Sequence, residues 1–244
     1  ASKNKNGLSY GIIGAQSSVS NNMLFQNDNK VYHSIFRVQK QILNNNSYVG
    51  FLNTNFNLRD LNSNVYAIDG LFDITDYGLD FSYQVATSVV DNKNGLGGTF
   101  ELDYKSLPLT FLSNENTIII DTWLRYDKYD KNFNIDYSGY LFRNDLKSYN
   151  CGISFNFING QYFPSSIISL KSIKSYNLNE VLLDDLLSID WNAELNNNWL
   201  LGIGISKSNY AYIDRLYDEY FYDTFLQNIN QINIKKPSQN NYFF

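Results

Sequence analysis

His33 is the only histidine in the 244 residues, and Ser34 follows it directly. A serine close to an imidazole suggests an outer-membrane hydrolase with His33 as general base. No acidic third member can be placed from the sequence. A lone histidine in a polar network at a rim or lumen is the commoner arrangement and is preferred. Asp130-Lys131-Asn132-Phe133-Asn134-Ile135-Asp136 sets the oxygen side chains of Asp130, Asn132, Asn134 and Asp136 at every second position, as a calcium loop does. Ile135 stands where that loop needs glycine, and Leu141 where it needs a bidentate glutamate, so a solvated outer loop is preferred over a calcium site. Glu101, Asp103, Lys105, Asp121 and Arg125, with Asp127, fall on the polar faces of neighbouring predicted strands. Facing a lumen, they would orient a solute or hold a plug. The preferred alternative is a lattice of ion pairs and hydrogen bonds that satisfies buried charge. The single cysteine, Cys151, excludes an internal disulfide framework and a cysteine-based zinc site, and is read as a small apolar residue. Phosphate loops, nucleophile elbows and metal motifs are absent, so no catalytic residue or cofactor is assigned.

What must position these groups is visible at period two. Leu79, Phe81, Tyr83 and Val85 alternate with Asp80, Ser82 and Gln84. Leu96, Gly98, Phe100, Leu102 and Tyr104 alternate with Gly97, Thr99, Glu101 and Asp103. Leu187, Ile189, Trp191, Ala193 and Leu195 alternate with Ser188, Asp190, Asn192 and Glu194. Successive side chains on a strand point to opposite faces, so this pattern predicts strands. Similar faces recur at 48–58, 66–74, 118–126, 149–157 and 199–205. Segments 8–16 and 31–43 fit less cleanly, 165–177 is a strand mainly by position, and 211–244 has room for one or two more. No amphipathic helix, domain linker or longer repeat stands out.

Several alternations last nine residues or more, whereas soluble strands run about five or six and membrane strands about nine to eleven. Aromatics such as Tyr104, Tyr126, Tyr149 and Trp199 fall near the ends of the faces, suiting a membrane–water boundary. The expectation is all-β: one antiparallel transmembrane β-barrel domain over 1–244, with about eleven to thirteen strands. Its lipid-facing side would carry Leu79, Phe81, Tyr83, Leu96, Phe100, Leu102, Leu187, Ile189 and Trp191. Its mean hydropathy is that of a soluble chain, which a barrel shares because only alternate residues meet lipid. The net charge of -5 without a basic stripe argues against nucleic acid as a partner. No stretch approaches the length of a membrane-spanning helix. Asn44–Asn46, Thr75–Asp76, Asn159–Gly160 and Asn196–Asn198 read as short turns, and Ser20–Lys30, Arg59–Asn64, Val90–Asn94, Tyr129–Asn144 and Tyr176–Asp185 as longer loops. Short and long alternate with one exception, Ser106–Asn116, and short turns on one side would put the N-terminal end of the chain on the periplasmic side.

Several ordered motifs resemble a known family. They are Lys3-Asn4-Lys5-Asn6-Gly7-Leu8-Ser9-Tyr10-Gly11-Ile12, Arg37-Val38-Gln39-Lys40, Ser47-Tyr48-Val49-Gly50, Asn53-Thr54-Asn55, and Asp136-Tyr137-Ser138-Gly139-Tyr140-Leu141 with Arg143-Asn144-Asp145. Together they resemble the C-terminal outer-membrane barrel of the "domain of unknown function 5916" family, found mainly in Bacteroidetes-like bacteria. The resemblance covers most of residues 3–210. It implies an outer-membrane location, and the family's usual family-nine-like carbohydrate-binding module implies a glycan-related role. No such module is present here, and the family's barrel continues beyond this chain's last strands. A membrane barrel must close, because unpaired backbone groups in lipid cost several kcal/mol each. The chain is therefore expected to belong to a larger barrel, its first and last strands pairing with further polypeptide of the same or a separate chain.

Three functions follow as expectations. The first is a transport, docking or assembly component of the outer membrane. The second is a soluble or surface all-β binding module of adhesin or lectin type. The third is the hydrolase that uses His33.

Overall fold

The structure is a computed structural model that describes residues 2–4, 6–19, 29–58, 61–110, 117–135, 141, 143–160, 162–196, 198–208, 212–213, 234–235 and 239–243. Among them the fold is all-β and antiparallel. The strands are β1 (Ser2–Lys3), β2 (Leu8–Val19), β3 (Asn29–Gln41), β4 (Tyr48–Leu58), β5 (Leu61–Ile74), β6 (Leu79–Val90), β7 (Lys93–Lys105), β8 (Leu109–Thr110), β9 (Thr117–Tyr129), β10 (Leu146–Ile158), β11 (Ser165–Tyr176), β12 (Leu182–Glu194), β13 (Leu200–Ser208), β14 (Tyr212–Ile213), β15 (Ile234–Lys235) and β16 (Gln239–Phe243). The only helical element among the described residues is a single 3-10 turn, Thr75–Tyr77. Eleven strands run nine residues or more, up to fourteen in β5. That is about twice the usual soluble length.

The chain divides into two compact units, Ala1–Leu102 with Asp127–Leu146, and Asp103–Tyr126 with Lys147–Phe244. In the first, β1 to β7 lie side by side in chain order. Register is continuous: Leu8 to Val19 pair with Lys40 to Asn29, and Ser63 to Ile74 pair with Val90 to Leu79. In the second, β10 to β13 follow one another, β16 pairs with β13, and β8 pairs with β9. The poorly patterned 165–177 segment is the strand β11, paired along its length with β10 and β12. Its alternation is weak because serines and lysines share positions with isoleucines. Neighbours on both sides fix it regardless.

The connections differ from the expected short–long alternation. Only Asp91 and Asn92 join β6 to β7, and only residues 59–60 join β4 to β5, where longer loops were predicted. By strand direction both short connections belong to the same end of the first unit as the longer connection between β9 and β10. The loop-length argument for a periplasmic N-terminal end therefore has no basis. The tight turn is local chemistry. Asp91 and Asn92 both have positive φ, 47° and 64°, as a two-residue hairpin matched to strand twist requires. Asparagine supplies other turns too. The Asn44 side-chain oxygen accepts from the N–H groups of Asn46 and Ser47 at 3.1 and 2.7 Å. Asn177 does the same for Asn179 and Val181 at 3.0 and 2.9 Å. The side-chain carbonyl mimics a turn in the main chain.

A β-branched residue tolerates positive φ poorly. Asn92→Val should lower stability by about 1–2 kcal/mol, seen as a lower urea midpoint with an unchanged slope, whereas Asn92→Gly should leave it unchanged or raise it.

Candidate functional site

The two faces of the strands in the first unit have opposite chemistry. Along β5, Ser63, Val65, Ala67 and Asp69 are buried while Tyr66 and Ile68 are exposed, Ile68 by 52%. On β7, Leu96, Phe100 and Leu102 are exposed, and Gly95 and Gly97 between and before them are buried. The second unit repeats the pattern on β12: Leu187 and Ile189 are each 49% exposed, and Ser188 is buried. Among the described residues, eight buried side chains are hydrophobic and twelve polar or charged, and the largest that are fully buried are serines, Ser47, Ser63 and Ser88. A water-soluble core has the reverse distribution.

The small-residue face of the first unit carries an ion pair that glycine makes room for. The guanidinium of Arg37 on β3 donates to both carboxylate oxygens of Asp69 on β5, at 3.0 and 2.6 Å, in the bidentate form. It reaches across β4 above Gly50, where an added Cβ would lie 2.8 Å from Asp69 and 3.1 Å from Arg37. Farther along, the Thr99 hydroxyl lies 2.7 Å from Asp127 and 2.9 Å from the Tyr129 hydroxyl.

Over the same face lie residues 130–135, which follow β9. Phe133, 3% exposed, packs with Val65, Ala67 and Ala86. Its ring stacks on Tyr129 at 5.6 Å and 16°. The floor is glycine: a Cβ at Gly95 would fall 2.1 Å from the Phe133 nitrogen, and one at Gly97 2.7 Å from the rings of Phe133 and Tyr129. Hydrogen bonds tie the connection to the wall. Asp130 N–H donates to the Leu96 carbonyl at 2.8 Å, Leu96 N–H to the Asp130 carboxylate at 3.2 Å, and Asn134 N–H to the Ser88 hydroxyl at 2.9 Å. The ends meet through Asn144, which donates to the Lys131 carbonyl at 2.8 Å, and through Lys131 and Asp145 at 4.0 Å. A cavity of about 220 Å³ remains between connection and wall, edged by Leu52, Thr54, Ala67, Thr99 and Leu141.

In the second unit the corresponding interactions are Asn156 to Asp121 at 2.5 Å and Ser148 with Ser175 at 2.9 Å. The indole of Trp123 lies over Gly152, where a Cβ would meet the ring at 2.1 Å. Tyr126 and Tyr149 face each other at 5.1 Å near neighbouring strand ends, and Lys147 bonds Glu180 at 2.9 Å.

The sequence-predicted residues distribute as follows. Leu79, Phe81, Tyr83 and Trp191 are half-buried, and Leu96, Phe100, Leu102, Leu187 and Ile189 are exposed. Glu101, Asp103, Asp121 and Arg125 are half-buried on their strands, and Lys105 is exposed at the end of β7. Glu101, Asp103 and Arg125 each hold an interaction partner. His33 meets Phe56 edge-on at 4.9 Å. Ser34 is its neighbour on the same strand and points to the opposite face, so the two do not form a dyad. Cys151 is exposed. Of the calcium candidates, Asp130 accepts from Leu96, Asn134 bonds Ser88 through its main chain, Asn132 is exposed, and Asp136 lies outside the described residues. In the loop expected to be solvated at 130–136, Lys131 and Asn132 are exposed, while Phe133 is buried. Two glycines on one face, Gly95 and Gly97, beside a loop containing Phe133 and Ile135, were the available signal for that docking.

No family model, curated protein or solved structure matches the chain.

Gly97→Val should unseat Phe133 and raise the rate of tryptic cleavage after Lys131 at least tenfold, read by mass spectrometry. Arg37→Met alone leaves Asp69 without its cation and should cost about 1–3 kcal/mol. Adding Asp69→Leu should recover most of that loss in the same denaturation assay.

Proposed function

We propose that this chain is a wall segment of an outer-membrane β-barrel, with large apolar side chains against acyl chains and small or polar ones toward a lumen. It works there in transport, docking or assembly. The observation that carries this reading is the inverted burial: serine, alanine, glycine and paired charge are covered, while Ile68, Phe100, Leu187 and Ile189 are not. A lipid environment makes that arrangement favourable, because it removes exposed apolar surface from water at roughly 25 cal/mol per Å². Strand length supports the same reading: nine to fourteen residues suffice to cross the roughly 30 Å hydrocarbon layer at a tilt. Tyr126 and Tyr149 near strand ends suit the interface.

Further polypeptide completes the wall. Among the described residues, β2 pairs along its whole length with β3 but on its other side only Ser9 and Tyr10 pair, with β1. An edge of that length in hydrocarbon requires a partner strand. The ordered motifs that resemble the barrel family favour a bacterial outer membrane and a glycan-linked cargo.

The purified chain folded into detergent or liposomes should migrate faster on gels unheated than boiled. Ile68→Arg should destabilise the bilayer-folded form by about 2–4 kcal/mol if it lies near the midplane, whereas Gln84→Arg on the opposite face should cost under about 1 kcal/mol. A chain that is monodisperse and folded in plain buffer, with Ile68→Arg neutral, would instead identify a soluble all-β binding module.

A further inference from the structure

We infer that the small-residue face of the second unit holds a binding site for a neutral sugar, built from Trp123, Lys171 and Asp190. This rests on the barrel reading above, in which that face meets the lumen, and adds to it the place where a solute rests. The face is the one opposite the exposed Leu187 and Ile189. Its floor is small: Ser154, Ser188 and Ser206 are buried on it, with Gly152 among them. Three larger side chains rise from this floor, and strand register brings them together. The indole of Trp123 fills the space that a Cβ at Gly152 would take. Gly152 pairs with Lys171, and Lys171 with Ser188. Asp190 stands two residues from Ser188 on the same face and pairs with Ser169. Lys171 and Asp190 are therefore diagonal neighbours, with roughly 7 Å between their Cβ atoms. The indole flanks the lysine on its other side.

Lysine and aspartate do not close on each other. Among the described residues, the Lys171 ammonium has no ion pair or hydrogen bond, and Asp190 accepts a long one, 3.4 Å, from the Ser188 hydroxyl. Trp123, Lys171 and Asp190 are each half-buried, so part of each stays open. That combination selects the chemistry of the ligand. A simple anion would meet the carboxylate, and a simple cation the ammonium. An apolar solute would take water from both charges without replacing its hydrogen bonds. One sugar hydroxyl accepts from the ammonium and a second donates to the carboxylate, both in charge-assisted bonds. The C–H face of the sugar ring packs on the indole. A zwitterion such as an amino acid satisfies the diagonal and leaves more unmet. Asp121 and Asn150 precede Trp123 and Gly152 by two residues, and the Oδ1 atom of each is a covered acceptor without a donor. A solute with many hydroxyls, and the water it brings, supplies donors for these as well.

The test is titration of the full chain folded in amine-oxide micelles, with Trp191→Phe and Trp199→Phe so that Trp123 alone reports through its emission. Maltotriose or cellotriose should change that emission saturably, and glycine or inorganic phosphate should not. Lys171→Met and Asp190→Asn should each raise the apparent Kd about tenfold or more. Lys174→Met, on the opposite face, should leave it unchanged. On the chain without substitutions, the trisaccharide that binds should slow acetylation of Lys171 and not of Lys207, read by mass spectrometry, so the outcome does not depend on a variant that folds. No saturable response to either trisaccharide, in a chain with heat-modifiable migration, would overturn the site and leave the barrel standing. A response to glycine or phosphate alone would overturn the sugar as ligand. Sugar binding unchanged by both Lys171→Met and Asp190→Asn would overturn the assignment to these residues. Sugar binding at Lys171 by a chain that folds in plain buffer would keep the site and overturn the barrel.

Discussion

The structure depends on one geometric constraint: on a strand, neighbouring side chains point to opposite sides. With long antiparallel strands in nearly continuous register, that constraint becomes a property of each unit's sheet. Ala67 faces Ala86 across a strand pair, and Ile68 faces Val85 on the reverse side. A register slip by one residue would exchange the two sets. Burial of Ser63, Val65, Ala67 and Asp69 on one side is what makes the register costly to change.

Glycine supplies the second organising feature. At several positions a glycine stands beside a large or charged group from a neighbouring strand. Gly50 lets Arg37 span β4 to reach Asp69, Gly70 receives the ring of Tyr83, and Gly152 lies beneath Trp123. Gly95 and Gly97 form the most demanding case, because the group they admit is a main-chain segment and its phenylalanine. In each case one missing Cβ removes a clash, and the neighbour contributes the contact surface. The entropic penalty of glycine in a strand, about 0.5–1 kcal/mol, is small beside burial of an aromatic ring.

Turn chemistry and strand chemistry are separable here. Asparagine and aspartate adopt positive φ or close turns through their own side chains, as at Asn44, Asn92 and Asn177. These are local effects and place little demand on the rest of the fold. Phe133 is the opposite: its place is set by the glycines and small side chains beneath it, Gly95, Gly97, Ala67 and Ala86.

The sequence by itself determined the strands and their two faces, because period two is a local property that survives in any antiparallel partner set. That is why 79–85 and 96–104 were legible as strands, and why Ile68, Phe100 and Leu187 could be placed on one side. It left β11 weakly marked, since its serines and lysines dilute the contrast and only pairing with β10 and β12 holds it extended. It misjudged loop lengths at Arg59–Asn64 and Val90–Asn94, where polar residues continue the strand ladder toward a tight turn. Tertiary structure alone decided that Arg37 meets Asp69, thirty-two positions away, and that Phe133 packs onto Gly95 and Gly97. Both are contacts across strands, and alternation specifies which face a residue occupies without specifying what crosses that face to meet it.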